Sequence, residues 1–218
     1  MSIRRFVEED GTPVASAFER PDQYPVDIVN RMAELGLCGM LIPEECGGLG
    51  QDSMSYAIVV EELRRGWMRP AGVINSHLIP TPMIWKFGTS SQQRYLPWLA
   101  KGECRGGLGL TTEADVGSDA SSMRSVAKRD GDEYILNGPK MFVTNGERGN
   151  IVAILAKIDP AAQPRHRRIS AFIVEKNTPS FRAGWKMKKL GSAGSTPVSY
   201  YSRRVGCRRI AASVPEGT

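Results

Sequence analysis

The hydrophobic period changes once along the chain, near Gly106, and that change limits the fold more than any other feature. Before it, apolar residues recur at helical spacing. In "VDIVNRMAELGLCGMLIP", Val26, Ile28, Val29, Met32, Leu35 and Leu37 fall near a 3.6 period, and Gly36 suits a helix C-terminus. "DSMSYAIVVEELRRG" opens with an Asp/Ser cap signal and places Tyr56, Val59, Val60 and Leu63 on one broad face. "SSQQRYLPWLAKGE" reads as a short capped helix interrupted near Pro97, because proline removes a helical donor.

After Gly106 the period is 2. "SMRSVAKRDGDEYILNGPKMFVTNG" holds two dipeptides that tolerate positive φ, Asp130-Gly131 and Asn137-Gly138, and each predicts a hairpin turn. "NIVAILAKI" and "RISAFIVEK" are two more strands, joined by the polar loop "DPAAQPRHRR". Strands with short turns and no intervening helix argue for antiparallel pairing. The expected class is α+β: an N-terminal all-α domain over residues 1–105, then an antiparallel β-barrel-like domain over 106–195. Residues 196–218 form a tail that follows neither period.

Composition excludes several functions. No run of about 18 apolar residues exists, so no transmembrane helix is expected. The start, "MSIRRFVEEDGTPV", is too acidic for a secretory signal. The four cysteines have no paired spacing and the two histidines no metal-ligand pattern, so neither disulfides nor a metal site is expected, and the cytoplasm is the expected compartment. The net charge is +6, but the tail's four arginines against one acid, Glu216, supply half of it. No basic face for nucleic acid is therefore predicted. His77 reads as a packing residue and His166 as a solvated loop residue. Neither "ECGGLG" nor "RGGLG" follows a strand and opens a helix, so neither is a phosphate-binding fingerprint.

The segment "LTTEADVGSD" is dense in hydroxyls, small residues and acids. It could hydrogen-bond a polar ligand, with Gly117 letting backbone approach closely, or it could be a capped surface loop. "FVTNG", residues 142–146, is a strand running into a turn. Taken in order, "LTTEADVGSD", "DGDEYILNGPKMFVTNG" and "ISAFIVEK" resemble the acyl-CoA dehydrogenase family. "LGLCGMLIPEECGGLG", "AIVVEELRRG" and "FGTSSQQRYLPWLAKGE" resemble its N-terminal helical domain. The resemblance covers residues 26–195.

That resemblance implies FAD as cofactor. It places Leu110, Thr111 and Thr112 beside the isoalloxazine, with Gly117 and Ser118 closing the turn, and Ser118 also touching the acyl-CoA substrate. The family's Trp-Ile-Thr strand corresponds to Phe142, Val143 and Thr144, where phenylalanine keeps an aromatic face and loses the indole N–H. The implied reaction is α,β-dehydrogenation of an acyl-CoA thioester, with electrons passed to an electron-transfer flavoprotein and a homo- or hetero-oligomeric assembly. The family's glutamate base lies in a further helical bundle domain that matches nothing here. Glu113 matches the flavin segment and not the base, so no catalytic residue is assigned. A chain without that base is expected to be inactive alone. Two alternatives stand beside this reading: a non-catalytic subunit that needs a partner chain, and a flavin-dependent oxidase or monooxygenase of the same fold.

The tail departs from the family where "TPVSYYSRRVGCRRIAAS" replaces the expected last strand. Read with codons shifted, it accommodates E-L-L-F-x-x-C-R-V-P-A-D, so a frameshift near Ser195 or Thr196 is the expected origin. Loss of that strand predicts an unpaired edge, and the helices that would face the missing bundle are expected to expose apolar surface, hence poor solubility and weak flavin binding.

Overall fold

The computed structural model describes residues 2–21, 23–111, 119–186 and 198–209, the last by its backbone. Two short helices, α1 (Ile3–Phe6) and α2 (Ala15–Glu19), lead into α3 (Val26–Glu34). Gly36, with φ of 77°, turns the chain out of α3. α4 (Ser53–Gly66) is capped by Asp52, whose carboxylate accepts the Ser55 amide at 2.8 Å. α5 (Met68–Leu78) and α6 (Pro80–Phe87) follow. The Pro97 region resolves into two helices. α7 (Ser90–Gln93) starts on a Thr89–Gln92 capping box, and α8 (Leu96–Lys101) carries the proline in its first turn, where no donor is lost.

β1 (Gly106–Gly109) starts where the hydrophobic period changes. β2 (Val126–Asp130) and β3 (Glu133–Val143) form a hairpin closed by Gly131 and Asp132, with Gly131 at φ 60°. β4 (Ile151–Lys157) pairs antiparallel with β5 (Ile169–Glu175) along its whole length. β6 (Phe181–Lys186) and β7 (Val198–Arg209) complete the sheet, in the order β1-β4-β2-β3-β7-β5 with β6 on β7.

Both faces of β4 are buried, which explains its continuous apolar run. Val152, Ile154 and Ala156 join Leu136, Val143, Phe172 and Val174 in a core inside the sheet. Ile151 and Ala153, one residue out of phase, pack with Ile84, Leu96 and Leu99 of the helices. The helical residues keep their own core around Phe6, Met32, Leu63 and Trp67. Beside it, Arg69 is fully buried; it pairs with Glu19 at 2.9 Å and donates to the carbonyls of Phe18 and Gln23.

Three sequence expectations are corrected. The α+β class holds, but the sheet is mixed and not a regular antiparallel barrel. β1 runs parallel to β4, and β2 meets β4 through a single parallel bridge, Val126↔Lys157. The partner of β1 arrives only after the β2–β3 hairpin has been made, so no tight turn forces the two to run in opposite directions. Second, Asn137-Gly138 is not a hairpin turn, because β3 continues through it, with a register shift against β7 between Leu136 and Asn137. Gly138 has φ of 130°, and a Cβ there would lie 2.8 Å from the Ser125 Cα, so this glycine serves a close approach of backbone. Third, the edge of β3 is not left open: β7 pairs antiparallel with β3 and with β6, and its far end reaches β5. Ladder bonds use backbone groups, and "VSYY" has the β-branched and aromatic residues that suit a strand.

Candidate functional site

The described start of the first segment singled out in the sequence, Leu110 and Thr111, lies against the second. The Met141 amide donates to the Thr111 carbonyl at 2.9 Å, and the Lys140 ammonium donates to the Leu110 carbonyl at 3.0 Å. The exit of β1 is thus tied to the end of β3. A Cβ on Gly107 would lie 2.9 Å from the Thr144 carbonyl, so the bare glycine lets β1 approach the residue after β3.

A phase slip in β3 builds the exposed part of the site. Leu136, Gly138 and Lys140 alternate as one strand face requires, so residue 142 should also point inward. Phe142 instead takes a left-handed backbone, φ 59°, and the pairing with β7 shifts register between Lys140 and Val143. The slip turns Val143 into the core, fully buried, and leaves the Phe142 ring 54% exposed. A large aromatic on a left-handed, exposed position contributes little to packing and carries backbone strain. The turn that follows is held by the Thr144 amide on the Phe142 carbonyl at 3.1 Å and the Gly146 amide on the Val143 carbonyl at 3.0 Å.

Of the sequence-predicted residues, Leu110, Thr111, Phe142 and Thr144 are brought together, all at least partly exposed. Val143 is adjacent, but its side chain faces the core, so only its backbone can reach a ligand. Thr112, Gly117 and Ser118 lie outside the described residues. The arrangement suits a flat, polar-edged ring system. The Phe142 ring offers a face, and among the described residues the hydroxyls of Thr111 and Thr144 have no hydrogen-bond partner.

Sequence reasoning missed the joint beneath this cluster. His77 of α5 is 2% exposed; its Nδ1 accepts the Gly106 amide at 3.1 Å, and its Nε2–H is shared by the carbonyls of Cys38 at 3.2 Å and Leu99 at 3.0 Å. Only the neutral ring can accept at Nδ1, and burial pushes its pKa from 6.5 down to about 4. Asn145, at φ 64°, donates from Nδ2 to the carbonyls of Val73 at 2.9 Å and Gly106 at 3.0 Å. Both backbone groups of Gly106 are therefore held by side chains, and α5, β1 and the turn after β3 form one unit. A histidine inside an apolar helix pattern was the only available signal. Lys140 was missed as well; it is buried in the sheet, where desolvation lowers its pKa to about 7.

The family model described as "Acyl-CoA dehydrogenase, N-terminal domain" matches residues 1–103, and "Acyl-CoA dehydrogenase, middle domain" matches residues 109–201. An acyl-CoA dehydrogenase of Bacillus subtilis is 40% identical over 195 residues, which are 88% of this chain and 51% of that protein. The solved glutaryl-coenzyme A dehydrogenase in complex with glutaryl-CoA superposes with a TM-score of 0.87 at 32% identity, covering 96% of this chain and 54% of that one. A glutaryl-CoA dehydrogenase from Mycobacterium smegmatis in complex with FADH2 superposes with a TM-score of 0.87 at 28% identity, covering 97% and 54%. The chain spans about half the length of the relatives it matches.

Proposed function

We propose, given that this chain belongs to the acyl-CoA dehydrogenase family, that it forms the helical and flavin-contacting part of an oxidoreductase for acyl-CoA thioesters. FAD is the cofactor of this family. The observation that carries the reading is the union of Leu110–Thr111 with Phe142 and Thr144 in one partly exposed cluster. When bound, FAD would supply the hydride acceptor for the dehydrogenation of an acyl-CoA thioester. Phe142 provides an apolar face that excludes water on one side. Thr111 and Thr144 provide hydroxyls for the polar edge of the ring system, and Val143 provides backbone groups. Thr112, Gly117 and Ser118 belong to the same site in this reading, Ser118 also on the thioester side. No residue is assigned as the proton-removing base. An electron-transfer flavoprotein is the proposed electron acceptor, and the free thiols of Cys38, Cys46 and Cys104 suit the reducing cytoplasm.

One observation favours the companion reading that this chain works in an assembly with another protein surface. α4 exposes Met54 and Ile58, and α6 exposes Trp85 and Phe87, more apolar side chains than isolated helix faces need. Residues 196–218 are proposed to be read in a shifted frame, which sequencing of the coding DNA past codon 195 decides.

Titration of FAD into the purified chain, followed by quenching of flavin fluorescence, tests the flavoprotein reading. Saturable quenching that Thr144→Val or Phe142→Ala weakens is the expected result. Absence of binding would refute it. Dye reduction with a panel of acyl-CoA thioesters then tests for turnover, and its absence alongside intact FAD binding would support the partner-dependent reading.

A further inference from the structure

Lys140 occupies a place where an uncharged side chain belongs. It shares the inner β3 face with Leu136 and is 2% exposed. Its stem runs against β1, where a Cβ on Gly109 would lie 3.4 Å from the Lys140 Cγ, in ordinary van der Waals contact. At the end of the stem, Nζ has one recorded bond, to the Leu110 carbonyl at 3.0 Å. The strands around it offer no counter-ion. β1, β4, β6 and β7 contain no aspartate or glutamate, and Asp130 and Glu133 of β2 and β3 sit at the hairpin turn. Glu175 of β5 is engaged by Tyr95 on the outer side. Glu113 and Asp115 fall outside the described residues.

A buried ammonium with no carboxylate partner among the described residues lowers stability, and burial drives its pKa down to about 7. A methionine would fill the same volume without that cost. The bond it does make goes to the peptide carbonyl immediately before Thr111, and the next amide along β3, Met141, binds Thr111 itself. Two consecutive residues of β3 therefore fix two consecutive residues at the exit of β1.

We propose that Lys140 is a positioning residue, whose buried ammonium clamps the Leu110 carbonyl and so fixes the course of the chain into Thr111 and the flavin-contacting segment. The inference rests on the flavoprotein reading for its purpose, but the clamp itself is testable without cofactor. It also predicts that stability and ligand binding respond in opposite senses when the charge is removed, because the lysine is costly to the fold and useful to the site.

The test uses the full chain and the Lys140→Met variant. Hydrogen exchange read by mass spectrometry, without FAD, should show protection of the Met141 amide falling about tenfold or more, the loss expected when one hydrogen bond to a charged donor is removed. Peptides from β4 and β5 should exchange as before. The thermal midpoint of the variant at pH 6 should equal or exceed that of the parent. FAD affinity, where the parent binds FAD, should weaken about tenfold or more, with a changed visible spectrum of the bound flavin. Unchanged protection at Met141 overturns the clamp. A midpoint that falls together with protection across all strands also overturns it, since Lys140 would then be an ordinary structural residue. Failure of the parent to bind FAD refutes the flavoprotein reading and leaves the exchange result to decide the clamp.

Discussion

Acidification should loosen the joint between helices and sheet through His77. The ring is neutral when folded, because Nδ1 must accept from Gly106 and the site is buried. Above pH 6.5 both folded and unfolded chains hold it neutral, and its contribution is fully present. As pH falls from 6.5 toward 4, the unfolded chain binds a proton that the folded chain does not, so stability is lost and the loss is complete below the folded pKa of about 4. At about 1.4 kcal/mol per pH unit, the gap corresponds to about 3 kcal/mol, a large share of the stability of an ordinary domain. Urea unfolding followed by tryptophan fluorescence, at pH 7.5, 6, 5 and 4, measures it, with Trp67 buried in the helical core as reporter. Carboxylates such as Glu62 and Asp52, which hydrogen bonds hold below their usual range, lose stability over a lower range and would blur the curve. The His77→Gln variant isolates the histidine. Its stability at pH 7.5 should be lower than the parent's by about 1–3 kcal/mol, and the difference should vanish or reverse by pH 4. A difference that stays constant across this range would show that His77 does not titrate with folding, and the assigned roles of Nδ1 and Nε2 would be wrong.

Three further outcomes are expected. Phe142→Gly should change the unfolding free energy by less than about 1 kcal/mol, since relief of left-handed strain of about 1–2 kcal/mol is offset by glycine's backbone entropy of about 0.5–1 kcal/mol. The same variant should lose FAD binding, and a large loss of stability would mean that the ring is structural. Gly107→Ala, whose new methyl would press on the Thr144 carbonyl, should destabilise by about 1–3 kcal/mol in chemical denaturation and weaken FAD binding in parallel. Glu19→Ala removes the carboxylate that pairs with the buried Arg69 and also accepts the Trp67 indole N–H at 2.7 Å. Thermal or urea unfolding should register a loss of about 3–5 kcal/mol, and a loss below about 1 kcal/mol would refute the view that Arg69 depends on it.

The sequence by itself determined the elements that local chemistry decides. The change of period at Gly106, the Asp52 cap of α4, the Gly36 exit from α3 and the strands β4 and β5 all depend on neighbours within a few residues, and all are found. It also brought "LTTEADVGSD" and "FVTNG" forward as one site, through their order and their resemblance to a family. Tertiary structure decided the rest, for a common physical reason. A period of 2 states that two faces differ, but not which apolar face meets the helices, so the packing of Ile151 and Ala153 on α6 and α8 was not legible. Nor does it state where a strand slips phase: Asn137-Gly138 has the composition of a turn, yet β3 continues through it, paired with β7 across a register shift. That same pairing shifts at Phe142, and the shift alone separates an exposed ring from a buried valine. His77, Asn145 and Lys140 bond to carbonyls and amides far away in sequence, which no local pattern encodes. Short-range preferences choose helix or strand, while the environment of each side chain is fixed only when distant backbone groups arrive to bond it.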